Sequence, residues 1–264
     1  VFGTYNRLFT AYFDRTDGYR TVNSFGRPFR SLKEPYSWEV EANIFDLVEK
    51  LYDAGNERFI FRQRSQDLGA RYTRSSGDPD KRVDRYSFGY HYSEDKFKQA
   101  DAQDFVDADV RPTDVSQDPA LLASNRRFSG PSFGYQAIEA NYLSLDYVDR
   151  FSRIEDFNLG NEFSVVLNYA ADVFGSAEDT LLYTISNLRG WQIRKESFLR
   201  GELSTSGRVD DEGMENVTFH SELKYYDVLG PKYWKEKFLG HHTLAFSMSL
   251  DLSEKLDRHI GFIE

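Results

Sequence analysis

Cysteine is absent from the 264 residues, and methionine occurs only twice. Without a thiol there is no disulfide, no thiolate nucleophile and no cysteine-ligated metal. No apolar run approaches the ~20 residues that a spanning helix needs, so any membrane passage must be made by strands. Positive charge is the minority, 33 Lys and Arg against 43 Asp and Glu, for a net charge of −10. No basic stripe forms, which argues against nucleic acid as a partner. Metal-ligand spacing is missing too: His91, His220, His241, His242 and His259 show no H-x-x-x-H or H-E-x-x-H pattern. His241 and His242 are adjacent in a strand pattern, which turns them to opposite faces.

What is present in excess is aromatic, with 22 Phe and 17 Tyr, and it is ordered with a period of two. Tyr36, Trp38, Val40, Ala42 and Ile44 alternate with Ser37, Glu39, Glu41 and Asn43. Tyr86, Phe88, Tyr90 and Tyr92 alternate with Ser87, Gly89 and His91. Leu244, Phe246, Met248, Leu250 and Leu252 alternate with Thr243, Ala245, Ser247, Ser249 and Asp251. Successive strand residues point to opposite faces, so each segment has a greasy side and a polar side. A soluble sheet buries the first against a core; a membrane barrel turns it to lipid and keeps its charges in a wet lumen. Periodicity alone does not say which way is in.

Eleven strand-like segments follow one another, at 5–13, 19–29, 36–45, 58–73, 82–92, 133–147, 158–170, 180–193, 197–206, 215–227 and 240–253. Turn chemistry such as Asp14-Arg-Thr-Asp17-Gly18 and Ser75-Ser-Gly77-Asp-Pro79 joins most of them, the signature of an antiparallel meander. Ile44–Ala54 competes as a helix, with Ile44, Leu47, Val48 and Leu51 at helical spacing. The acidic stretch 93–131 reads as one long mobile external loop, easier to accommodate on a barrel than in a soluble domain. The Asp-rich stretches 101–118 and 210–215 miss the spacing of a calcium loop and read as solvated.

One motif carries chemistry on paper. Gly130-Pro-Ser132-Phe-Gly134 fits G-x-S-x-G, but a nucleophile elbow needs a strand, a sharp turn and a helix. Here the following residues alternate as a strand, so no catalytic residue, cofactor or metal is expected. In a barrel, Glu39 and Glu41 would face Arg58, Arg62 and Arg64 of the next strand across the lumen; on a soluble sheet the same residues form an ordinary wet face.

Several ordered pieces resemble the bacterial surface-antigen superfamily, the BamA/TamA-type outer-membrane proteins. They are Phe2-Gly3-Thr4-Tyr5 before a hairpin ending Gly26-Arg-Pro28-Phe29, Arg153-Ile-Glu-Asp156-Phe-Asn-Leu159-Gly160, and Ser206-Gly207-Arg208 with Glu215-Asn216. Tyr5 stands where the family has a second glycine. Leu188-Arg189-Gly190-Trp191 matches the family's Arg-Gly-aromatic loop only in letters, because it precedes the strand after which that motif belongs. The resemblance implies an all-β, antiparallel transmembrane barrel of roughly sixteen strands, with this chain as its N-terminal and middle part. It implies the outer membrane of a Gram-negative bacterium and a role in inserting, assembling or translocating polypeptides. Outer-membrane lipid, client polypeptides and periplasmic or lipoprotein partners would be its contacts. The chain begins at Val1 without a signal-peptide pattern and ends at Ile263-Glu264 without a terminal aromatic, as expected of a piece of a longer protein. On this reading Glu39, Glu41 and His91 face the lumen, while Tyr36, Trp38, Tyr86, Phe88, Tyr90 and Phe246 face lipid or an aromatic belt. The alternatives are a small-solute pore with Glu39 and Glu41 setting cation preference, a twelve-stranded outer-membrane lipase, or a soluble β-rich binding protein.

Overall fold

Residues 7–15, 17–146, 148, 154–211, 213–229 and 242–255 are described by a computed structural model of the chain. The Phe2–Asn6 motif, Arg153, His241, His259 and both termini lie outside the described residues. Period-two alternation over long stretches can be satisfied only by strands, and eleven of them form one antiparallel sheet. In order these are β1 (Arg7–Arg15), β2 (Gly18–Arg27), β3 (Tyr36–Asp53), β4 (Asn56–Asp78), β5 (Arg82–Gln99) and β6 (Arg126–Glu139). A separate hairpin, β7 (Tyr142–Asp146) and β8 (Ile154–Asn158), interrupts the order. The sheet resumes with β9 (Glu162–Ala170), β10 (Thr180–Arg194), β11 (Ser197–Val209), β12 (Met214–Leu229) and β13 (His242–Glu254). Each strand of the sheet neighbours the one before it, so the topology is a meander. Among the described residues β1 pairs with β2 alone and β13 with β12 alone. Eleven alternating strands leave these two edges running in the same direction.

Three expectations are corrected. Ile44–Ala54 is not helical; Ile44 to Asp53 is the second half of β3. The expected loop 93–131 shrinks to 100–125, because β5 runs to Gln99 and β6 starts at Arg126. The expected strand 133–147 is broken at Ala140, where the chain leaves β6 for the β7–β8 hairpin. That hairpin lies at the end of the sheet opposite 100–125, so long excursions occur at both ends and their asymmetry discriminates less than expected.

One cause explains the first two corrections. β3 and β4, with 18 and 23 residues, rise beyond their neighbours as a two-stranded tower, and 100–125 wraps both its faces. On one face Val48 and Ile60 pack with Phe105, Ala108, Val110 and Val115. On the other, Leu51, Phe59, Phe61 and Phe97 pack with Leu121, Leu122 and Ala123. A strand covered on both faces loses its polar alternation, so its apolar residues fall at spacings that mimic a helix.

The wrap is pinned electrostatically. Within it, α1 (Ala102–Asp107) opens with a capping box in which Asp101 accepts from the Asp104 N–H and Asp104 accepts from the Asp101 N–H. The nearly buried Asp104 carboxylate also accepts from Arg62 at 2.8 Å, and Arg62 donates to Asp46 at 2.5 Å. These carboxylates, Asp46 first, hold the Arg62 guanidinium above its ordinary range. The acidic segment is therefore a packed clamp and not a loose loop.

At the other end, two elements fold over the same sheet face. Phe29, in the link from β2 to β3, lies 3.9 Å under the Arg85 guanidinium. Phe157 of the β7–β8 hairpin packs 4.9 Å from the ring of Phe198 and 6.4 Å from that of Tyr226, with Leu145, Leu159 and Val228 completing the cluster.

Candidate functional site

Directly paired residues of adjacent antiparallel strands share a face, so the registers show what each face carries. One face is apolar along nearly its whole width. It presents Trp38 and Val40 of β3, Tyr72 and Leu68 of β4, and Phe88 and Tyr90 of β5. It continues with Phe133 of β6, Val165 and Leu167 of β9, Ile185 of β10, Leu203 of β11, Leu223 of β12 and Met248 of β13. These side chains are not covered: Phe88, Phe246 and Met248 are each 59 % exposed. Cross-strand ring pairs tie the face together, Phe88 with Phe133 at 5.5 Å and Tyr86 with Tyr135 at 5.3 Å.

The opposite face is polar. Glu41 meets Arg71 at 3.8 Å, the His91 ring lies 3.0 Å from Asp67, Lys224 meets Glu222 at 2.7 Å, and His220 meets Asp251 at 2.6 Å. Glu39 pairs in register with Arg71 and belongs to the same face. Arg58, Arg62 and Arg64 are not the partners of Glu39 and Glu41: the long hairpin sets Arg64 against Asp46 and Arg62 against Val48. Edge strand β1 departs from the division, with Leu8 and Tyr12 on one face and Phe9 and Phe13 exposed on the other.

The apolar band does not follow a register row. One row runs Tyr36, Arg74, Tyr86, Tyr135, Val165, Ile185, Thr205, Phe219, Leu252. On β3 this row meets the first residue of the apolar run 36–44, whose centre, Val40, lies four residues beyond it. On β13 it meets the last residue of the run 244–252, whose centre, Met248, lies four residues before it. On β9, midway, Phe163, Val165, Leu167 and Tyr169 straddle it. The band thus drifts by 4 + 4 residues over the eight steps from β3 to β13, one residue per strand. With about 3.4 Å per residue and about 4.8 Å between strands, a level band with that drift crosses strands tilted by about 35°. A nine-residue run at that tilt stands about 22 Å tall.

Ser132 lies in mid-strand β6, paired on both sides, and not in an elbow. Sequence reasoning did not assemble a Ser–His pair; the register does bring one near. His91 pairs with Gly130 and Ser132 with Gly89, so His91 and Ser132 are diagonal neighbours on the polar face. With Glu41, Arg71 and Asn168 they line a groove of about 200 Å³ beside Gly69 and Gly134. The described hydrogen bond of the His91 ring goes to Asp67 and not to Ser132. Ladder pairing of β6 on both edges occupies the backbone N–H groups that an oxyanion hole would need. Arg189-Gly190-Trp191 is likewise inside a paired strand, β10, and not in a loop. No described group of three or more carboxylates and histidines is placed to hold a metal. No described helix is long and apolar enough to cross a membrane, which says nothing of strands.

Comparison of the chain with known protein families, curated proteins and solved structures returned no match.

Proposed function

We propose that this chain forms most of the wall of an outer-membrane β-barrel, with the apolar face toward lipid and the polar face toward the lumen. The observation that carries the reading is the drifting apolar band. Its slope of about 35° lies at the lower edge of the roughly 35–45° tilt of barrel strands, and its height is close to the roughly 25 Å apolar belt of outer-membrane barrels. In water, an uncovered band of this extent would drive aggregation. Antiparallel closure requires an odd number of strands beyond the eleven, because β1 and β13 run the same way. A sixteen-stranded barrel of the BamA/TamA type adds five and meets that parity.

On the resemblance to that family, the proposed work is insertion, assembly or translocation of polypeptides at the outer membrane. The means are physical: a wall that seats in the bilayer and a polar interior that tolerates backbone in transit. The second reading, a passive pore, draws on Glu39 and Glu41 on the polar face. Vesicles carrying the closed barrel that contains this chain separate the two. Faster insertion of a second, unfolded barrel protein supports the first reading. Cation-selective conductance that falls when Glu39 and Glu41 are neutralised, without any such acceleration, replaces it with the second.

A further inference from the structure

We infer that the border of the apolar face between β5 and β10 holds a binding site for the phosphate of an anionic lipid headgroup. The inference rests on the membrane reading above and names a partner for that face. An open cleft of about 540 Å³ lies there, lined by Lys81, Arg82, Glu139, Asn161, Arg189 and Trp191 among others. Its position follows from the drift: Arg82, Glu139 and Arg189 stand four residues along their strands from Tyr86, Tyr135 and Ile185, where the apolar run of this sector ends. A lipid seated on that run would bring its headgroup to the cleft.

The chemistry of the cleft is that of an anion site. In a chain of net charge −10, its lining carries three cations against one carboxylate. That carboxylate is engaged, since Glu139 accepts from the Asn161 N–H at 3.2 Å. Arg82 is oriented by Asp84 at 2.9 Å and by the Tyr135 hydroxyl at 3.1 Å. Lys81 stays 83 % exposed despite a 3.7 Å contact with Asp78. Arg189 extends beside the Trp191 ring, its guanidinium 5.9 Å from the centroid, the pairing of cation and aromatic expected at a membrane–water border.

The floor is built and not incidental. Asn158 ties it together, accepting from the N–H groups of Asn141 and Gly160 and donating to the Glu139 carbonyl and the Glu162 carboxylate. Gly160 and Gly190 let three chain segments close in: a Cβ on the first would lie 2.0 Å from the Glu139 carbonyl, and on the second 2.5 Å from the Leu159 side chain.

The test uses the closed barrel that contains this chain, with Trp38→Phe, Trp234→Phe and any tryptophan outside the chain replaced, which leaves Trp191 as the fluorophore. The protein is folded into phosphatidylcholine vesicles containing a minority of brominated phosphatidylglycerol or of brominated phosphatidylcholine. Quenching of Trp191 by the anionic lipid is expected to exceed that by the zwitterionic one by about fivefold for each effective cation. Lys81→Gln with Arg189→Gln should abolish the preference while leaving the folded yield unchanged. Equal quenching by the two lipids in folded protein overturns the site and leaves the membrane reading standing. Failure of the closed barrel that contains this chain to fold into either vesicle overturns the membrane reading itself, and the site with it. Loss of the preference on adding millimolar inorganic phosphate, with vesicle surface charge held constant, would show a site for the free ion and overturn the lipid assignment.

Discussion

Arginine placed at Met248 tests the slope of the apolar band, because the slope says which residue of β13 lies deepest. If the band is level in a bilayer, the midplane crosses β3 at Val40 and β13 at Met248, the centres of their apolar runs. A cationic side chain on the lipid face at the midplane costs roughly 2–4 kcal/mol, falling to about 0–1 near the interfaces. Met248→Arg and Val40→Arg are therefore expected to destabilise by about 2–4 kcal/mol, and Leu244→Arg and Leu252→Arg by about 0–1 kcal/mol. Ser247→Arg, one residue away on the polar face and in reach of Glu222, should be nearly neutral. The assay is equilibrium denaturant unfolding of each variant folded in vesicles, at matched m-value. Strands perpendicular to the bilayer would bring Leu252, register mate of Tyr36, closer to the midplane than Met248. A larger cost at Leu252 than at Met248 would refute the tilt, and a cost at Ser247 equal to that at Met248 would refute the sidedness.

Three further outcomes are expected. Phe105→Ala should remove about 3–5 kcal/mol of packing from the clamp on the β3–β4 tower; thermolysin should then cleave within 100–125, which the parent chain should resist as well as its strands do. Gly130→Ala should destabilise by at least about 1–3 kcal/mol as an overpacking change, because a Cβ there would sit 1.8 Å from the Tyr169 carbonyl; its reading is a lowered unfolding midpoint. A fluorophosphonate probe should label the folded chain no more than it labels Ser132→Ala, and serine-dependent labelling would promote the His91–Asp67–Ser132 groove to an enzyme site.

The sheet was largely legible from sequence, because a strand with one apolar and one polar face writes its period directly into the chain. β5 and β13 show this in Tyr86–Tyr92 and Leu244–Leu252. Legibility failed where both faces are covered. Val48 and Leu51 pack on opposite sides of β3 and so mimic a helix, and Phe59-Ile60-Phe61 is an unbroken apolar run for the same reason. The clamp was misjudged because six acidic residues dominate its composition, while a few apolar ones, Phe105, Val110, Val115, Leu121 and Leu122 among them, decide whether it packs. Polar-face candidates Glu39, Glu41 and His91 share a face, as their parity required. Their partners were hidden, since Arg71 reaches the glutamates only through the register set by the turn at Ala54–Gly55, and Asp67 reaches His91 only through the register set by the turn at Pro79–Lys81. The drift of the apolar band and the cleft at its border depend on nine strands in register at once, which no local pattern encodes.

The central claim, that the apolar face meets lipid and the polar face meets water, can be measured residue by residue because the chain has no cysteine of its own. Single cysteines at 244 through 252 would each carry a nitroxide in vesicle-folded protein, with collision rates read against oxygen, which concentrates in lipid, and a water-soluble nickel complex. The account predicts strict alternation: high oxygen and low nickel accessibility at 244, 246, 248, 250 and 252, the reverse at 245, 247, 249 and 251, and an oxygen maximum at 248. Nickel accessibility at the even positions equal to that at the odd ones would contradict it.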